Sequence, residues 1–133
     1  MKSYTDIEQS KKLAEILPLE SADMCFNISQ HHNMPPLMTP YSKFNEFFNM
    51  ETPDFLIPCW SLAALLDIFL NNEHIGTTIS RGSFQIGTGK YSPNIWWCEY
   101  EDSKNQTEFN TSADNPVNAC YEMILKLYEL KML

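Results

Sequence analysis

Apolar residues first recur at helical spacing between Asp6 and Leu17, where Ile7, Leu13, Ala14 and Leu17 share one side and Glu8, Lys11, Lys12 and Glu15 the other. The pattern predicts an amphipathic helix, with Thr5-x-x-Glu8 as its capping box and Pro18 as its stop. The short apolar run from Met24 to Ile28 predicts a strand. From Ser29 to Pro58 the prolines at 35, 36, 40, 53 and 58 interrupt both regular hydrogen-bond patterns, which predicts a long ordered loop. A short helix is expected inside it at 41–48, and the aromatic residues there suit a packed segment better than a linker. Cys59 to Leu70 is the most hydrophobic stretch, with Leu62, Leu65, Leu66 and Phe69 on one side and Trp60, Ala63 and Ala64 on the other, so a central helix is expected.

Further along, the periodicity shortens from helical to alternating. All four glycines lie between Gly76 and Gly89. Alternation in Thr78-Ile79-Ser80 and Ser83-Phe84-Gln85-Ile86, around Arg81-Gly82, predicts a β-hairpin. A strand from Ile95 to Glu101 follows, with Trp96, Cys98 and Tyr100 directed at the core and Ile95, Trp97, Glu99 and Glu101 away from it. Asp114-Asn115-Pro116 then supplies a helix cap and a proline at the first helical position. The stripe Val117, Cys120, Tyr121, Ile124, Leu127 and Tyr128 gives that last helix its apolar side, and Glu122 and Lys126 stand on the other at favourable spacing.

This order of elements predicts an α+β fold: a small antiparallel sheet with about three α-helices packed on one face. With 133 residues, one compact domain spanning 1–133 is expected, its proline-rich loop at about 29–58. The expected interior is Leu13, Leu17, Leu62, Leu65, Leu66, Phe69, Trp96, Tyr100, Ile124 and Leu127. The strand order is left open, because no turn dictates the partner of the run from Met24 to Ile28.

Composition narrows the function classes. Nine Lys plus Arg against 17 Asp plus Glu leaves a net charge of -8, which opposes the phosphate neutralisation that drives nucleic-acid binding. Arg81 is the only arginine, so forked recognition of phosphate or guanine has almost no residue to use. The acidic groups run from Asp6 to Glu129, with a loose gathering at Glu99, Glu101, Asp102 and Glu108, too dispersed for mimicry of DNA but suited to a basic partner. The amino-terminal residues lack the apolar core of a secretory signal, and Asp67 interrupts the longest greasy run, so a cytoplasmic protein without membrane contact is expected. In that compartment Cys25, Cys59, Cys98 and Cys120 read as free thiols packed as small hydrophobes, and no Cys-x-x-Cys spacing suggests zinc.

Four constellations could carry chemistry. Cys59, between Pro58 and Trp60-Ser61, sits where a helix is expected to begin, and unpaired amides there would favour a thiolate nucleophile. This is the basis of an alternative reading as a small thiol-dependent enzyme, weighed against a packed cysteine. His31 and His32, with Cys25 upstream, offer nitrogen and sulfur ligands for a metal-binding module, though their spacing matches no common metal motif and solvated loop histidines explain them as well. Gly87-Thr88-Gly89-Lys90 resembles a phosphate loop only superficially: the place of its first glycine is held by Phe84, and Tyr91 stands where a hydroxyl ligand is needed. Trp97, beside Glu99 and Glu101, forms an aromatic-acidic anchor for a basic partner, unless the loop carrying Phe44, Phe47 and Phe48 folds over it. No cofactor and no metal is implied.

Three blocks carry a resemblance: residues 10–24 (SKKLAEILPLESADM), 58–66 (PCWSLAALL) and 115–120 (NPVNAC). Together they resemble a family of small uncharacterised proteins from gut anaerobic bacteria and their phages and prophages. The resemblance implies a mobile-element context in a bacterial cytoplasm and no assigned activity, so no catalytic or binding residue follows from it. The expectation is a non-catalytic, phage- or prophage-associated protein acting through protein–protein interaction.

Overall fold

The computed structural model describes residues 1–29, 34–48, 52, 54–71, 83–88, 94–102 and 107–133. These form an α+β arrangement with two small antiparallel sheets, which share the strands that the sequence suggested for one. The described chain divides into two compact units, residues 4–64 and residues 1–3 with 65–133. Among the described residues no helix is long and apolar enough to cross a membrane.

In the first unit, helix α1 (Ile7–Ala14) starts one residue later than the expected box would place it. Asp6 is the cap: its carboxylate accepts from the Gln9 amide at 2.8 Å, and the Gln9 side chain accepts from the Asp6 amide at 3.1 Å. Thr5 is instead fully buried, with its Oγ1 2.7 Å from Ser10 Oγ. Asp is as good a cap as Thr, so two adjacent candidates competed and the buried position took the less polar one.

Strand β1 (Met24–Asn27) pairs antiparallel with β2 (Leu56–Cys59), a strand inside the segment expected to be loop. Pro58 is tolerated there for a specific reason. Its partner Cys25 directs its own N–H and C=O to Leu37, at 3.1 and 2.7 Å, away from β2, so the position opposite needs no amide hydrogen. One face of this sheet gathers Met24, Phe26, Ile57 and Cys59 with Tyr4 and Ile7, and the other gathers Cys25, Phe44 and Leu56 with Tyr41. The short helix α2 (Phe44–Phe48) and the turn at Tyr41–Lys43 that supply the second cluster fall where the sequence placed them.

Helix α3 (Leu62–Asn71) begins after Trp60-Ser61 and not at Cys59. Leu65 and Phe69 are buried, but Leu70 is 68% exposed and Asp67 is exposed too, so the helix buries one side and not its whole circumference. Trp60, expected on the opposite side of that helix, precedes it and is completely buried, with its indole N–H donating to Ser21 Oγ at 2.9 Å.

In the second unit, β3 (Ser83–Thr88), β4 (Trp96–Asp102) and β5 (Thr107–Ala113) form an antiparallel sheet in that spatial order. The first half of the expected hairpin, 78–80, lies outside the described residues; β3, its second half, pairs with β4. Strand β5 has no counterpart in the sequence reading. Helix α4 (Pro116–Glu129) packs on β4 and β5, capped by Asn115, whose side chain accepts from the Asn118 amide at 2.9 Å. Val117, Cys120, Met123, Ile124 and Leu127 are its buried stripe, while Tyr128 is 48% exposed. Of the expected interior, Leu13, Leu17, Leu65, Phe69, Tyr100, Ile124 and Leu127 are buried; Leu62, Leu66 and Trp96 are only partly so.

Candidate functional site

Alternation along β4 separates two chemistries. Cys98 and Tyr100 are buried beneath α4, and Tyr100 stacks on Phe109 of β5 with centroids 6.2 Å apart. The opposite face carries Trp97, Glu99 and Glu101, the three residues expected to meet a partner. Register brings Ser112 and Asn110, both exposed, opposite Trp97 and Glu99 on β5. On the other flank Gly87 of β3 stands directly opposite Trp97.

That glycine explains how Trp97 is held. A Cβ at position 87 would lie 3.1 Å from Trp97 Cζ2 and 3.4 Å from Cε2, so the indole packs closely against the bare backbone of its cross-strand neighbour. Trp97 is thereby partly buried within its own sheet, while Glu101 remains exposed. Phe44, one of the rings expected to cover this face, is instead buried with Cys25 and Leu56 in the first unit. The side chains of Phe47 and Phe48 lie outside the described ones. A ring presented on a strand beside two carboxylates can stack on the alkyl stem of a lysine or the plane of a guanidinium while the carboxylates receive its hydrogen bonds.

Cys59 occupies a different setting from the one expected. It ends β2, is fully buried, and lies near Thr5, 3.6 Å from its carbonyl oxygen and 3.7 Å from its Oγ1. Burial pushes its thiol up to about 11, against the lowering effect of the Thr5 and Ser10 hydroxyls. A thiol held neutral and out of solvent is the opposite of an activated nucleophile. The helix start belongs to Ser61, whose hydroxyl accepts from the Ala64 amide at 3.1 Å and donates to Asp23, and whose amide donates to the other Asp23 oxygen at 2.9 Å. This knot secures the entry to α3.

His31 and His32 lie outside the described residues, as do Gly89 and Lys90. Among the described residues no group of three His, Cys, Asp or Glu side chains is arranged to hold a metal ion. A cleft of about 480 Å³ opens at the start of α4, lined by Met1, Lys2, Asn94, Trp96, Asp114 and Asn115. Sequence reading gave no reason to place Lys2 there. Its ammonium donates to Asn118 Oδ1 at 3.0 Å, and Asp114 accepts from the side chains of Asn115 and Asn118 at 2.9 and 3.2 Å, so these groups fasten the helix start to one another. No protein-family model, no curated protein and no solved structure matches this chain.

Proposed function

We propose that this chain is a non-catalytic cytosolic protein of a phage or prophage element that works by protein–protein interaction, docking a basic partner on the outer face of β3-β4-β5. The observation that carries the reading is the presentation of Trp97, Glu99 and Glu101 on the sheet face opposite the one that α4 covers. The net charge of -8 adds a long-range attraction for the same class of partner. Burial of Cys59 takes support from the thiol-enzyme alternative, and the mobile-element context comes from the resemblance of residues 10–24, 58–66 and 115–120.

The test compares the wild-type chain with Glu99→Lys/Glu101→Lys and with Trp97→Ala as bait in lysate of a host bacterium, with bound proteins identified by mass. Circular dichroism first establishes that both variants are folded, which is expected because Glu101 is exposed and Trp97 only partly buried. The expected result is a basic protein retained by the wild type, released by salt, and lost from the charge-reversed bait. Retention unaffected by either variant would remove this face from the function. Genes beside the coding sequence that belong to a metabolic operon, and not to replication, packaging or defence, would speak against the mobile-element part.

A further inference from the structure

Beneath the sheet, β4 and α4 each place one cysteine where the two elements pack. Cys98 lies on the covered face of β4 and Cys120 in the buried stripe of α4, and both are completely buried. Thr111 of β5 ties the two positions together. It is the register partner of Cys98, and its hydroxyl donates at 2.9 Å to the carbonyl of Ala119, the residue before Cys120. The neighbouring Cys120 thiol and burial both raise the pKa of the Cys98 thiol, and the Thr111 side chain lowers it. The other two cysteines have no such arrangement, because Cys25 packs with Phe44 and Leu56 on one face of the β1-β2 sheet and Cys59 with Met24, Phe26 and Ile57 on the other.

We propose that Cys98 and Cys120 are a redox pair that closes into an intramolecular disulfide, fastening α4 to β4. With a small disulfide such as oxidised glutathione as oxidant, one cysteine loses its proton and attacks, forming a mixed disulfide and expelling one glutathione thiolate. The second cysteine then loses its proton and attacks the protein-bound sulfur, expelling the other glutathione. Two S–H bonds are lost and one protein S–S bond forms, and the two electrons released reduce the S–S bond of the reagent to two thiols. Complete burial sets the rate: the first attack needs α4 to lift from the sheet, so the pair oxidises during folding or local opening and is slow in the closed protein. Once formed, the bond closes a loop through β5 and restricts the unfolded chain.

The experiment refolds the full chain in mixtures of reduced and oxidised glutathione, quenches with acid, alkylates free thiols and measures intact mass and linked peptides. The expected product has lost two hydrogens, joins the peptides of Cys98 and Cys120, retains two alkylatable cysteines, and unfolds at a higher midpoint that a reducing dithiol reverses. Cys25→Ser/Cys59→Ser should keep that midpoint rise, and Cys98→Ser or Cys120→Ser should abolish it. Four alkylatable thiols at every glutathione ratio, stable glutathione adducts on separate cysteines, or a different linked pair would each overturn the proposal. The peptide linkage is read on the wild-type chain and so does not depend on any variant folding.

Discussion

Trp60 and Ser61 separate Cys59 from the first amides of α3, and this two-residue offset removes the electrostatic help that a thiolate draws from a helix start. Periodicity fixes a helix boundary only to within a residue or two, and the expected helix start at Cys59 missed by that offset. Burial then decides the chemistry. Iodoacetamide at neutral pH should therefore modify Cys59 far more slowly in the folded protein than in denaturant, as read by peptide mass. The same burial makes stability depend on alkaline pH. The Cys59 thiol keeps its proton in the folded state up to about 11, against an ordinary value of 9.0, so its contribution is complete below about pH 9 and is lost as pH rises through that interval. Cys98 is shifted the same way, first by the neighbouring Cys120 thiol and then by burial, and Cys25 by burial. Denaturation midpoints should fall between pH 9 and 11, and Cys59→Ala should flatten that fall relative to its own midpoint at pH 8.

Strands and helices here differ in how much of their cause is local. Helix α4 carries its cap, its N1 proline and its stripe within its own residues, and all three were legible. Asn115→Ala should cost about 1 kcal/mol of stability by leaving the Asn118 amide without its side-chain acceptor, measured by urea denaturation. Strand β2 contains Pro58, which locally argues against a strand, and only the diversion of the Cys25 hydrogen bonds to Leu37 makes the position acceptable. Strand β5 is the opposite failure: its residues Thr107-Glu108-Phe109-Asn110-Thr111-Ser112 are too polar to announce a strand, and pairing with β4 supplies what propensity does not. Between β3 and β4, Gly87→Ala sets two effects of similar size against each other. Loss of glycine flexibility favours alanine by roughly 0.5–1 kcal/mol, and the added methyl displaces an indole that is already in close contact. Stability should change by less than about 1 kcal/mol, while Trp97 emission moves to longer wavelength; the shift should vanish in a Trp97→Phe background.

Across the molecule, the excess of acidic residues acts at a longer range than any single contact. For the basic partner proposed above, attraction by a net charge of -8 should appear mainly in the association rate and weaken with salt, whereas loss of the Trp97 ring should appear mainly as faster dissociation. Composition alone established that sign, and the alternation of Trp96 to Glu101 established which side chains of β4 face away from the core. Because a helix writes its pattern every three or four residues, the amphipathic stripes likewise marked α1 with Leu13 and α4 with Leu127, although α1 ends at Ala14, short of the expected Leu17 and the stop at Pro18. What only the tertiary structure decided are the relations between distant positions: two sheets in place of one, β1 against β2 across some thirty residues of chain, Gly87 beneath Trp97, and Cys98 beside Cys120. Each depends on a partner strand or helix whose identity no local signal carries, since strand pairing is chosen by the combined burial of both faces and not by the residues of either strand alone.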